Sequence, residues 1–177
     1  MNNLLNKIFF RSKNLNYINS GFKNIKKETE IDQVFSAINS FSKNSEIRYV
    51  GGCVRKIINR EKVDDIDLAV NLKPNDVCDA LNKKNISYYE SGIKHGTITA
   101  LINDIKFEIT SLRKDVDTDG RHAKVEFSED WKEDASRRDF TINSIYASRE
   151  GSLFDPFGGK KDLENGIVKF IGDADVR

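Results

Sequence analysis

The stretch Tyr49-Val50-Gly51-Gly52-Cys53-Val54-Arg55, with Asp64-Asp65-Ile66-Asp67-Leu68-Ala69-Val70 following it, decides the fold. A short apolar run opens into paired glycines and an arginine, and a second apolar run carries carboxylates at i and i+2. The order reads as strand, turn, short helix and strand. Successive side chains of a strand point to opposite faces, so Asp65, Asp67 and Ala69 are expected on one face and Ile66, Leu68 and Val70 on the other. Two carboxylates would then stand side by side over a packed base.

Working outward, Ile31, Val34, Phe35, Ile38 and Phe41 recur at helical spacing and predict an amphipathic helix ending before Asn44. Ile47 to Val50 reads as a strand, Cys53 to Asn59 as a short helix and Asp65 to Val70 as the second strand. Pro74 opens the next helix, with Val77, Ala80 and Leu81 as its buried stripe. Beyond Ile86 to Tyr89, the runs Thr97 to Ile102 and Ile105 to Thr110 flank Asn103-Asp104 and predict a β-hairpin. Its returning strand sends Phe107 and Ile109 one way and Lys106, Glu108 and Thr110 the other, which sets Glu108 beside the carboxylate pair if the strands share a sheet.

Residues 114–130 are polar and poor in periodicity, predicting a loop with a short strand at Val125 to Phe127. Ala135 to Tyr146 reads as a helix. Leu153 to Asp155, the turn Pro156-Phe157-Gly158-Gly159, a short helix to Leu163 and a strand around Val168 to Ile171 complete the pattern. These elements predict an α+β fold, a small mixed sheet with helices packed on it.

Bulk properties narrow the function. The 177 residues, 38% hydrophobic and 32% charged, suit a soluble globular protein of one domain, or one domain and the start of another. No apolar run approaches the roughly 20 residues that span a bilayer. A net charge of +1 gives no whole-molecule pull toward nucleic acid, so any basic surface must be local. Cys53 and Cys78 make no disulfide framework, and with only His95 and His122 no zinc spacing exists. Reduced thiols place the chain inside a cell, in the cytoplasm. The first 27 residues hold Lys7, Arg11, Lys13, Lys23, Lys26 and Lys27 and no acid. They read as a basic, loosely ordered arm over residues 1–28, with an organellar leader bound for the mitochondrial matrix as the alternative.

An Asp-x-Asp on a strand offers paired oxygen ligands to Mg2+, although by itself it reads more readily as a solvated acidic edge. Gly51-Gly52 at a strand end, Arg55 just after and Glu108 as a third carboxylate shift the balance toward a metal–phosphate site. Three carboxylates holding two Mg2+ ions suit an in-line phosphoryl displacement. The sequence contains neither a P-loop nor a dinucleotide glycine fingerprint. In Arg137-Arg138-Asp139-Phe140-Thr141-Ile142-Asn143, a helix would put Asp139 and Asn143 one turn apart, where they could hydrogen-bond a base or ribose; a surface ion-pair ladder is the plainer reading.

Taken in order, Gly51-Gly52-Cys53-Val54-Arg55, Asp65-Ile66-Asp67, Thr118-Asp119-Gly120-Arg121-His122, Arg137 to Asn143 and Asp155-Pro156-Phe157-Gly158-Gly159 with Asp162-Leu163 resemble the bacterial-type tRNA nucleotidyltransferase and poly(A) polymerase family, most closely its CCA-adding members. The resemblance implies a DNA-polymerase-β-like nucleotidyltransferase head over residues 29–155, with residues 156–177 starting the connection to a neck. It implies that Asp65 and Asp67 bind metal, that Glu108 is the third catalytic acid, and that Gly51, Gly52 and Arg55 meet the triphosphate. Arg138, Asp139 and Asn143 would contact the nucleotide, and Asp119, Arg121 and His122 would lie in a flexible loop near the active site.

The implied reaction moves CMP or AMP from CTP or ATP to a tRNA 3′ end with Mg2+ as cofactor. Two departures stand out. Lys56 replaces the aspartate usual after Gly-Gly-x-Val-Arg, and no Glu-Asp-x-x-Arg motif for base templating occurs before Arg177. Neck and body are therefore expected to be missing, or supplied by a second polypeptide. In that case the chain would be a nucleotide- or RNA-binding subunit with an apolar interface near Phe154 and Val176. A poly(A) polymerase shares the same motifs.

Overall fold

The computed structural model describes residues 17–116 and 124–172. Helix α1 covers residues 17–28. It is followed by α2 (Ile31–Asn39), β1 (Ile47–Val50), α3 (Gly52–Ile58), β2 (Asp67–Val70), α4 (Pro74–Asn82), β3 (Ser87–Gly92), β4 (Thr97–Ile102) and β5 (Ile105–Ser111). Then come β6 (Arg113–Val116), β7 (Lys124–Phe127), α5 (Trp131–Ser136), β8 (Tyr146–Ala147), β9 (Leu153–Phe154) and α6 (Gly159–Glu164).

Seven strands form one mixed sheet in the order β3-β4-β5-β2-β1-β8-β9, and β6-β7 form a separate ribbon. Only β2 and β5 run parallel within the large sheet; its other pairs are antiparallel. One face carries the main core, where Phe22, Phe35, Val54, Val77 and Leu81 from the helices meet Tyr49, Leu68, Ile98, Phe107 and Ile109 from the strands. Tyr49 packs 4.8 Å from Phe22 and 4.9 Å from Phe35, ring to ring. On the other face Val50, Ala69, Leu112, Ala135 and Tyr146 make a smaller cluster with Trp131 and Phe154. Arg48 lies between those two rings, 4.0 Å from Trp131 and 5.0 Å from Phe154.

The alternation rule places β1, β4 and β5 as expected, and Asn103 and Asp104 turn the β4–β5 hairpin with φ of 48° and 64°. Both values are left-handed, as a two-residue turn matched to strand twist requires.

Four expectations need correction. First, residues 17–28 are not a loose arm. They are helical and bury Ile18, Phe22 and Ile25 in the main core. Second, β2 starts at Asp67, so Asp65 lies in the preceding loop. Third, residues 135–146 are not one helix. Helix α5 begins earlier, capped by the Asp130 carboxylate, which accepts from Lys132 and Glu133 N–H, and it ends at Ser136. Phe140 is extended and bridges Phe170, Thr141–Asn143 form a single 3-10 turn, and Tyr146 is already in β8. The β-branched and aromatic residues of 140–142 favour extended backbone, and the edge of the sheet beside β1 overrides helical periodicity. Fourth, residues 168–171 make that single bridge and no strand.

Helix α6 is seated by its first residue. A Cβ on Gly159 would fall 2.0 Å from the Thr141 carbonyl oxygen and 3.0 Å from the Ile142 nitrogen. Asp155 caps the same helix, accepting from Gly159 N–H at 2.8 Å and Lys160 N–H at 2.9 Å. Because the obstacle is backbone, Gly159→Ala is expected to destabilise the fold by about 1–3 kcal/mol, as overpacking does. Calorimetry checks this, and an unchanged melting temperature would show that α6 is not seated there.

Candidate active site

The site forms where β1 ends and β2 begins. Tyr49 pairs with Leu68, and continuing that register sets Asp67 beside Val50. The chain then turns sharply at Gly51, whose φ of 68° favours glycine, and enters α3. Cys53 stitches the junction, its buried thiol donating to the carbonyls of Val50 at 3.3 Å and Asp67 at 3.5 Å. Burial pushes that thiol up to about 12, so it is a structural group rather than a nucleophile.

Asp67 pairs with Glu108 across the parallel β2–β5 ladder. It is half-buried, whereas Asp65 and Glu108 are exposed. Burial raises the Asp67 carboxyl above its ordinary value, Glu108 and Asp65 push it further the same way, and Arg138 and Lys56 oppose the rise. Like charges thus converge on Asp67 with incomplete compensation. Lys56, the departure from the family pattern, also holds Asp64 at 3.0 Å.

Three other candidates gather around the glycine turn. A Cβ on Gly51 would lie 3.7 Å from the Asn143 carbonyl oxygen and 3.8 Å from Arg138 Nη1. Gly51 N–H donates to the Ile145 carbonyl at 3.2 Å, and Arg55 donates from Nη1 to the Asn143 side chain. Above Gly52 the space is open, with no atom within 4 Å of where a Cβ would stand. The site therefore unites Gly51, Gly52, Arg55, Asp65, Asp67, Glu108, Arg138 and Asn143. It does not unite Asp139 with Asn143 on one helical face, because Asp139 lies exposed in the turn after α5. Asp119, Arg121 and His122 fall outside the described residues.

Sequence reasoning passed over Asp134. This carboxylate is 1% exposed. One oxygen accepts from Arg137 Nε at 2.9 Å and from the Arg113 backbone N–H at 3.2 Å. The other accepts from Arg138 Nη2 at 3.1 Å and from the Tyr146 hydroxyl at 2.6 Å. Arg138 Nε also donates to the Tyr146 oxygen at 3.1 Å. Burial alone would raise the Asp134 carboxyl, but Arg138, Arg137 and the Tyr146 hydroxyl overcome it and hold the group below its ordinary value. The arginine pair is thus not a surface ladder but is fixed by a buried acid. An Asp three and four residues before the Arg-Arg pair was the available signal.

Among the described residues no three His, Cys, Asp or Glu side chains close into a metal cage. The donor set nevertheless fits a hard divalent cation that takes its remaining ligands from elsewhere: the oxygens of Asp67 and Glu108 sit on paired positions, and their mutual repulsion raises Asp67.

The family model described as the poly A polymerase head domain matches residues 47–169. The chain belongs to this family. Its head spans β1 through α6, and so contains every strand and carboxylate of the site. The chain is 48% identical over 135 residues to the human mitochondrial CCA tRNA nucleotidyltransferase 1, an alignment covering 76% of this chain and 31% of that protein. To the CCA-adding enzyme of Lactobacillus delbrueckii it is 36% identical over 134 residues, covering 75% of this chain and 33% of the relative. Among solved structures, the Bacillus stearothermophilus CCA-adding enzyme in complex with CTP superimposes with a TM-score of 0.70 at 28% identity, covering 83% of this chain and 35% of that one. The poly A polymerase head thus has the DNA-polymerase-β-like nucleotidyltransferase fold, and the chain spans about a third of the length of these relatives.

Proposed function

We propose that this head domain transfers CMP or AMP from CTP or ATP to the 3′-hydroxyl of tRNA. The observation that carries this is the convergence of Asp67 and Glu108, on paired strands, with the Gly51 turn, Arg55 and Arg138. The relatives, named CCA tRNA nucleotidyltransferases or CCA-adding enzymes, favour CCA addition over poly(A) synthesis.

In the reaction the 3′-oxygen attacks the α-phosphorus, the bond from that phosphorus to the bridging oxygen of the β-phosphate breaks, and pyrophosphate leaves while the hydroxyl proton passes to solvent water. Asp65, Asp67 and Glu108 would hold Mg2+, which supplies charge neutralisation at the attacking and leaving oxygens. Gly51 and Gly52 let the triphosphate approach the backbone, since the space over Gly52 is open and the φ of 68° at Gly51 disfavours any side chain there. Arg55 is steered by Asn143 and Arg138 by Asp134, so both guanidiniums are oriented before substrate arrives. Asp139, exposed after α5, would contact the ribose.

For location the reading is the cytoplasm, with the mitochondrial matrix as the alternative. The mitochondrial names of the human, mouse and zebrafish relatives favour that alternative, with the basic N-terminal segment as leader. Any cleavage would fall before Ile18, which is buried in the core.

The test incubates the purified chain with tRNA lacking its 3′ end, Mg2+ and each labelled nucleotide in turn. Incorporation is expected from the wild type and not from the Asp65→Ala, Asp67→Ala double variant. Incorporation that survives in the double variant overturns the assignment.

A further inference from the structure

A row of side chains runs from the carboxylates to the far edge of the sheet. Asp67 in β2 is paired with Glu108 in β5, Glu108 with Thr99 in β4, and Thr99 with Tyr89 in the edge strand β3. Directly paired residues project from the same face, so all four belong to the face that carries the site. Three strand spacings of about 4.8 Å put Tyr89 about 14 Å from Asp67.

Its neighbours distinguish Tyr89 from a packing residue. Tyr88 turns to the opposite face, where its oxygen accepts from Asn82 at 3.1 Å, while Tyr89 stays 43% exposed. Thr99 donates to Ser91 at 2.8 Å and is buried, so the floor between Glu108 and Tyr89 is closed. Lys106, exposed on the same face in β5, holds its ammonium 6.0 Å from the Tyr89 ring centroid. A depression of about 730 Å3 opens beside the ring along the free edge of β3, lined by Asn82, Asn85, Ser87 and Glu90 among others. An exposed aromatic on a sheet edge is a hazard for a folded protein, and it persists here next to a cation and a hydrogen-bonding hollow.

We propose that Tyr89 and Lys106 form a stacking subsite for a base in the single-stranded 3′ end of the RNA whose terminal hydroxyl reacts beside Asp67. The inference rests on the proposed transfer reaction. An aromatic face accepts any base, and a lysine beside it meets the phosphate, which is how single strands are held without sequence readout. At the roughly 3.4 Å rise of a stacked strand, the gap from Tyr89 to Asp67 takes a few nucleotides. The row continues the catalytic face directly, so the strand need not cross a helix to reach the carboxylates.

The test measures fluorescence anisotropy of a 5′-labelled single-stranded RNA with the full chain, and CTP binding by calorimetry on the same samples. Tyr89→Ala is expected to weaken RNA binding about tenfold, the loss of one stacked base, with CTP affinity unchanged. Tyr89→Phe is expected to keep wild-type RNA affinity, and Lys106→Ala to lower it and reduce its salt dependence. RNA carrying 4-thiouridine near its 3′ end is expected to crosslink to the β3 peptide of the wild type. Wild-type affinity in Tyr89→Ala, no RNA binding by the wild type, or crosslinks confined to other elements each overturn the subsite. CMP transfer that persists while Tyr89 proves irrelevant overturns the subsite alone; RNA held on Tyr89 without any transfer overturns the proposed reaction alone.

Discussion

Asp134→Ala is expected to be the most destabilising single change in the described residues, costing about 3–5 kcal/mol because it strips a buried ion-pair network of its only acid. The substitution leaves the Arg138 guanidinium, the Tyr146 hydroxyl and the Arg113 N–H without the oxygens they now share. For a chain of this size, about 2–4 °C per kcal/mol puts the fall in melting temperature near 10 °C. Asp134→Asn keeps the volume and one acceptor and is expected to lose less.

The pH dependence has a definite sign. The folded carboxyl titrates below its unfolded value, so its stabilisation is fully present above the unfolded value of about 3.9 and is lost as pH falls through the folded one. The stability gap between wild type and Asp134→Asn should therefore close below about pH 4. Urea unfolding at a series of pH values measures it, and a gap unchanged down to pH 2 would contradict the network.

Asp67→Asn carries the largest expected effect on activity, a loss of transfer on the order of 10^3-fold or more, the scale of removing a charge-stabilising group from a reaction centre. Its effect on stability should run the other way. Because burial, Glu108 and Asp65 raise the Asp67 carboxyl, the folded state binds that proton more tightly than the unfolded state does. The group's cost therefore grows as pH rises from the unfolded value to the raised one and is complete above it. Neutralising Asp67 removes that cost at pH 7, so the melting temperature should be unchanged or higher while transfer is lost. An inactive variant with a lowered melting temperature would instead mark Asp67 as a structural residue.

How much of this was legible in the sequence follows from which interactions are local. Strand alternation found Asp67 and Glu108 on one face, and the Asn103-Asp104 turn set the hairpin register, because both depend on neighbours in the chain. The α2 stripe was readable for the same reason. The helix expected over 135–146 failed because the pairing of Tyr146 with Val50, nearly a hundred residues away in the chain, outweighs a local period. Helix α1 was missed since a basic, acid-free composition hides Ile18, Phe22 and Ile25, one helical turn apart and buried against Tyr49 and its neighbours.

The exposed apolar end expected near Phe154 is not found at that residue. Phe154 is half-buried against Tyr146 and Arg48, and the exposed apolar side chains beyond it are Ile167, Val168 and Phe170. Val176 lies outside the described residues. Asp134 shows a different limit. Its spacing to Arg137 and Arg138 is visible in the sequence, but its burial is set by Tyr146 and Arg113, and only that burial turns a surface pattern into the anchor of the site.

The most direct measurement is Mn2+ binding followed by electron paramagnetic resonance, with and without a non-hydrolysable CTP analogue. Since Asp65, Asp67 and Glu108 do not close a cage by themselves, the phosphates must complete the ligand set. Mn2+ should bind weakly to the chain alone, tightly with the analogue, and in neither case to the Asp65→Ala, Asp67→Ala variant. Tight binding without nucleotide, or binding with nucleotide that persists in the double variant, would contradict the site.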